Sequence, residues 1–118
     1  MRRNLFALLA IVTSVGLMAT GCGSDDGDQE VKAAFIYVGP VGDAGWTWAH
    51  DQGRQFAAEA TGVETAFVEM VPEGTADFGN YVRDFIGQGY NVIFGTSFGY
   101  MDDMLALADE YPDVVFEH

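Results

Sequence analysis

The sequence predicts an α/β fold in which βαβ units build a parallel sheet. Two observations carry this. Short apolar runs alternate with segments of helical periodicity, in the order strand, helix, strand, helix. Glycine-bearing loops, Gly39–Trp46 and Gly95–Tyr100, each follow such a run and precede a helix. Right-handed crossovers collect loops of that kind on one edge of the sheet, so both are expected to face one crevice.

Taken in order, Val31 to Val38 reads as a buried parallel strand, because its apolar residues run together instead of alternating. Trp46 to Ala60 reads as a helix. Trp46, Ala49, Gly53, Phe56, Ala57 and Ala60 form its expected buried stripe, while His50, Asp51, Arg54, Gln55 and Glu59 form the polar side. Thr61-Gly62 ends it. Thr65 to Val71 alternates around Phe67 and Glu69 and is a second strand. After the loop Val71-Pro72-Glu73-Gly74, Thr75 or Asp77 can cap a second helix. That helix carries Phe78, Tyr81, Val82, Phe85 and Ile86 on one face and stops at Gly87-Gln88-Gly89. Asn91 to Phe94 is a third strand and Met101 to Glu110 a third helix. Asp102 and Asp103 lie in its first turn, where carboxylates favour the helix dipole. Pro112 ends it, and Asp113 to Glu117 starts a fourth strand. No internal repeat is visible.

The chain has 118 residues, enough for one small domain with a core. Five Lys plus Arg stand against eighteen Asp plus Glu, a formal net charge of −13. Such a chain has no electrostatic footprint for nucleic acid, and anionic lipid head groups repel it. An acidic, lysine-poor surface also suits a high-salt habitat. With 49% apolar residues and 14% aromatic, this is not a disordered acidic polymer.

Residues 1–21 read as a targeting segment. Met1-Arg2-Arg3-Asn4 is a basic head, Leu5 to Met18 an apolar stretch, and Ala19-Thr20-Gly21 leads to Cys22, the only cysteine. The stretch has signal-peptide length and falls short of the ~20 residues a spanning helix needs. It resembles a bacterial lipoprotein signal with Cys22 as the lipidated new N-terminus, although Ala19 stands where leucine is favoured. The other reading is an ordinary signal peptide with an incidental cysteine. On the lipoprotein reading, residues 22–30 are the lipidated Cys and an acidic flexible tether. The protein is then anchored to the cell membrane and exposed on its periplasmic or extracellular side.

The loop Gly39-Pro40-Val41-Gly42-Asp43-Ala44-Gly45-Trp46 organises the rest. Three glycines let the backbone turn and approach a ligand closely. The crevice beyond strand C-termini is where small molecules bind in such sheets. An acid and an indole there fit a flat ligand rich in N–H groups. A phosphate fits poorly, because the loop has no base.

This loop, with Thr47-Trp48-Ala49-His50-Asp51-Gln52-Gly53 after it, resembles the first ligand loop of the basic membrane lipoprotein (BMP) family. These are purine-nucleoside-receptor-type substrate-binding components of ABC importers. Val71-Pro72-Glu73-Gly74, Gly89–Phe94, Thr96–Met101 and Tyr111-Pro112-Asp113 agree in order and spacing, so the resemblance runs from about Val31 to His118. It implies the first part of lobe 1 of a type I periplasmic-binding-protein fold, incomplete at residues 31–118. Family members are two-lobed and close on their ligand, so a fragment or truncated product is expected here. The implied function is capture of a purine nucleobase or nucleoside and delivery to ABC permease subunits. A surface receptor or sensor lipoprotein that binds the same ligands without transport is the alternative.

The expected ligand-binding residues are Gly42, Asp43, Trp46, Ser97, Phe98 and Tyr100. Each has a plainer reading. Trp46 is either a core tryptophan or the base-stacking plate that the family resemblance supports. Asp43 either accepts ligand N–H groups or bonds its own backbone as a turn residue. Ser97, Phe98 and Tyr100 supply a hydroxyl and aromatic walls, or Phe98 packs beneath the loop. Trp48 projects opposite the apolar stripe as a lobe contact or a surface residue. Asp102 reaches the crevice or merely serves its helix.

No catalytic residues, cofactor or metal site are expected. The glycine spacing is not G-x-G-x-x-G, and no Walker lysine follows. His50 and His118 are too few and too scattered for a metal. Gly95-Thr96-Ser97-Phe98-Gly99 has the letters of a nucleophile elbow, which makes a serine hydrolase a distant alternative. That reading needs an acid and then a histidine downstream, and the only histidine there is His118.

Overall fold

A computed structural model describes residues 29–118. The signal-like segment, Cys22 and residues 23–28 of the acidic stretch lie outside the described residues. Among the described residues, no helix is long and apolar enough to cross a membrane.

The elements are β1 (Lys32–Ile36), α1 (Trp46–Thr61), β2 (Glu64–Val68), α2 (Asp77–Gly87), β3 (Val92–Gly95), a 3-10 turn (Phe98–Tyr100), α3 (Met101–Glu110) and β4 (Val115–Glu117). The strands form one parallel sheet in the order β2-β1-β3-β4. The α/β class and the βαβ succession are those expected. Strand ends shift by up to three residues.

The sheet has two faces with different chemistry. Ala34 and Ile36 of β1 and Ile93 of β3 point to one face. They pack there with Phe78, Val82 and Phe85 of α2 and with Met104 and Leu107 of α3. Burying those side chains contributes roughly 1.5–3 kcal/mol for each large one. Arg83 on α2 clamps Glu110 on α3 with two hydrogen bonds of 3.1 and 2.8 Å. The opposite face carries Ala33, Phe35 and Tyr37, with Val92 and Phe94 beside them. Phe35 and Phe94 are register partners and stack at 4.4 Å. This face belongs to α1. The helices therefore change sides between the crossover that leaves β1 and those that follow β2, which makes the β1/β3 boundary the switch point of the sheet.

The helix α1 corrects the expected stripe. Thr47 and Asp51 are buried and Arg54 and Ala58 half-buried, whereas Trp46, Phe56, Ala57 and Ala60 are exposed. The polar side faces the sheet because partners await it there. Asp51 accepts from the Tyr37 hydroxyl at 3.3 Å, from Arg54 Nε at 2.8 Å and from Gln55 Nε2 at 2.6 Å. Arg54 also donates to Thr65 Oγ1 at 2.9 Å, and its guanidinium lies over the Phe67 ring. Burial pushes the Asp51 carboxyl up, but the bonds from Arg54, Gln55 and Tyr37 outweigh it and hold the group below its ordinary range. Burial, reinforced by the Asp51 charge, pushes the Tyr37 hydroxyl up.

Removing one partner of such a hub strands the others in the protein. Asp51→Ala is expected to cost about 3 kcal/mol, read as a lower urea midpoint. Asp51→Asn keeps an acceptor for Tyr37 and is expected to cost less.

Candidate ligand-binding site

The crevice is built where β1 and β3 end side by side. Ile36 O accepts both the amide of Thr96, at 3.2 Å, and its hydroxyl, at 3.1 Å. Thr96 is thereby buried, and its own carbonyl accepts the indole N–H of Trp46 at 2.7 Å. That bond joins the two glycine-bearing loops, which do share one crevice. Trp46 is 62% exposed, so it is no core tryptophan. Its ring sits 4.7 Å from His50, tilted by 59°.

A cavity of about 580 Å³ opens beside these groups. Trp46 and His50 line it from α1, Phe94 and Gly95 from β3, and Thr96, Ser97 and Phe98 from the second loop. Glu117 and His118, at the end of β4, close the far side. Phe98 is 82% exposed and does not pack beneath its loop. Aromatic surfaces from Trp46, Phe94 and Phe98, with the polar side chains of His50, Ser97, Glu117 and His118 among them, can hold a small planar molecule.

Of the six expected residues, Trp46, Ser97 and Phe98 line the cavity. Gly42 sits on the exposed first loop, where an added Cβ would meet nothing within 4 Å. Gly39 is the glycine this loop requires, since a Cβ there would stand 2.9 Å from the Thr47 hydroxyl. Asp43 takes the turn role. One oxygen accepts from the amides of Gly45 at 2.8 Å and Trp48 at 2.9 Å, the other from Thr47 at 3.1 Å. Those bonds hold the start of α1, alongside Ala44 at a left-handed φ of 54°. Led by the Trp48 and Gly45 amides, they keep the carboxyl below its usual range. Tyr100 needs correction as a wall residue. It is fully buried, stacked on Phe78 at 4.3 Å, and its hydroxyl donates to Val71 O at 2.6 Å.

Several participants escape a reading of the chain alone. Glu73 accepts hydrogen bonds from the Ser97 hydroxyl and the Gly99 amide. Glu69 accepts the Val41 amide at 2.6 Å. His50 and His118, 68 positions apart in sequence, meet at one cavity. A Pro-Glu-Gly loop beside a Ser-x-Gly loop carries no local signal of its partner. Among the described residues, no three His, Cys, Asp or Glu side chains gather to hold a metal. The nucleophile-elbow letters do not bring a histidine to the Ser97 hydroxyl. That hydroxyl bonds a carboxylate, and His118 Nε2 lies 3.0 Å from the Ser97 carbonyl oxygen instead.

Residues 30–118 match the family described as PnrA-like ABC transporter substrate-binding proteins (Bmp). A purine-binding protein of Brucella abortus is 45% identical over 112 residues, which cover 93% of this chain and 31% of that protein. An ABC transporter glucose-binding protein of Haloferax volcanii is 44% identical over 101 residues, covering 83% and 25%. Among solved structures, a solute-binding protein of an ABC transporter system from Conexibacter woesei superposes with a TM-score of 0.63 at 24% identity. It covers 73% of this chain and 28% of its own. One from Aeropyrum pernix gives 0.60 at 21% identity, covering 73% and 23%. The two solved structures show the fold, an α/β arrangement shared with ABC solute-binding proteins. The chain spans about a third or less of each of these relatives.

Asp43 supplies a pH-dependent test of the first loop. Its folded-state value lies below 3.8, so its stabilisation is complete above the unfolded value and lost as pH falls through the folded one. The amide signals of Gly45, Thr47 and Trp48 are expected to hold at neutral pH and to shift together only in acid below 3.8.

Proposed function

Because the chain belongs to the PnrA-like family of ABC transporter substrate-binding proteins, we propose that it captures a purine nucleobase or nucleoside for delivery to an ABC permease. The observation that carries this is the exposed indole of Trp46, fixed by its N–H on Thr96 O and facing a cavity that Phe98 also lines. An indole whose only polar atom is already satisfied offers its faces, and a planar heterocycle stacks on them. His50, Glu117 and His118 surround the same space with groups able to read a base edge. The Brucella relative, described as purine-binding, supports the same ligand class.

Charge narrows the class. Among the described residues, Lys32 pairs with Glu64, Arg54 with Asp51 and Arg83 with Glu110. None of these cations lines the cavity. A phosphorylated nucleotide therefore finds no counter-charge there. A hexose is the second reading, favoured by the Haloferax relative, since a sugar ring also packs on an indole.

A calorimetric panel on the intact protein decides between them. Adenine, guanine, hypoxanthine and their nucleosides are expected to bind, with the 5′-monophosphates at least about tenfold weaker, a difference of about 1.4 kcal/mol. Binding of glucose alone would replace the purine reading with the sugar one.

The membrane placement is likewise our reading. Cys22 carries the lipid, residues 23–30 form the tether, and the folded part stands outside the membrane on the periplasmic or extracellular side. Cys22→Ala is expected to abolish incorporation of labelled fatty acid and to move the protein into the soluble fraction. Retention of both label and membrane association would refute the assignment.

A further inference from the structure

We propose that Glu73 is a positioning residue for ligand capture, acting by holding the second loop in the shape that presents Phe98; this rests on the ligand reading above. Glu73 lies between β2 and α2 and does not line the cavity. Its Oε1 reaches across to the loop after β3, where it accepts the Ser97 hydroxyl and, at 2.9 Å, the Gly99 amide. These two donors bracket Phe98. The carboxylate therefore grips the 3-10 turn on both sides of Phe98, whose ring stands free in the crevice.

Two further observations make this a built contact. A Cβ at Gly99 would stand 2.5 Å from Glu73 Cδ and 2.7 Å from Oε1, so the turn approaches the carboxylate as only glycine allows. In the same two loops, Tyr100 donates to Val71 O at 2.6 Å, two residues before Glu73. The second loop is thus pinned by Tyr100 and by Glu73, and Phe98 between those contacts is left exposed. Ser97 and Gly99 bonds keep the carboxyl below its ordinary range, consistent with an anion whose Oε1 is engaged by the turn. Binding on a mobile loop costs the ordering of its backbone as well as of the ring, and a fixed turn has met the backbone part beforehand.

The test uses Glu73→Ala and Glu73→Gln in the intact protein, each alone and with Phe98→Ala. Without ligand, amide exchange at Gly99 is followed by NMR. Glu73→Ala is expected to speed it about tenfold, the loss of one net hydrogen bond. Glu73→Gln should restore most of the protection, because its amide oxygen is the same acceptor. With adenine as probe, Glu73→Ala is expected to weaken binding about tenfold and Glu73→Gln little. In the Phe98→Ala background the Glu73→Ala effect should largely vanish, since the two residues act as one unit. Faster Gly99 exchange with unchanged adenine affinity would make Glu73 a mere staple and overturn the proposal. Additive effects of Glu73→Ala and Phe98→Ala would overturn the route through Phe98. A wild-type protein that binds no purine defeats the ligand reading instead, while Gly99 exchange still decides whether Glu73 holds the turn.

Discussion

The carbonyl of Ile36 accepts two hydrogen bonds from one residue, the amide and the hydroxyl of Thr96, and the crevice inherits its geometry from that pair. The pair exists because β1 and β3 run parallel with Ile36 opposite Gly95, so Thr96 is the first residue past the end of the ladder. Held there, Thr96 aims its carbonyl at the indole of Trp46. Each bond contributes about 1 kcal/mol to stability, but their joint effect is positional. A slip of one residue between β1 and β3 would put Phe35 and Phe94 on opposite faces and remove the Thr96 anchor. The crevice is therefore a consequence of sheet register.

Strands, helices and their order were legible because they follow from apolar runs and glycine punctuation, which are local. The orientation of α1 was not. Counting apolar positions put Trp46, Phe56 and Ala60 against the sheet, yet Thr47, Asp51 and Arg54 lie there. Periodicity weighs a helix in isolation. It has no access to the hydroxyls of Tyr37 and Thr65, which sit beneath α1 and make a polar face the better-satisfied one. The same long-range blindness hid Thr96 and Glu73, whose partners lie 60 and 24 positions away in sequence.

Within the site, residue type foretold location better than role. Trp46 and Phe98 stand exposed in the crevice, as large apolar groups on glycine-bearing loops beyond strand ends can. Asp43 and Tyr100 belong to the same loops and serve the protein itself. What separates them is the nearest unsatisfied backbone group. Asp43 has the free amides at the start of α1 within reach, and Tyr100 has the Val71 carbonyl. The sequence left both roles open for Asp43 and gave no sign of the one Tyr100 takes, because the competition is settled over a few ångströms of folded geometry.

The acidic bias of the chain acquires a structural meaning here. Asp43, Glu69 and Glu73 each spend their charge on backbone amides of the two ligand loops. Carboxylates thereby do the shaping, and the surfaces left facing the cavity are chiefly aromatic or neutral. Their charge is not cancelled, since no Lys or Arg lies among the residues that line the space. Glu117, which does line the space, adds a carboxylate with no cation among its lining neighbours. An anionic ligand would meet repulsion without a compensating pair, while a neutral planar one gains from desolvating Trp46 and Phe98 at no electrostatic cost. The acids that build the loops thereby leave aromatic faces, and one lining carboxylate, to meet whatever enters between them.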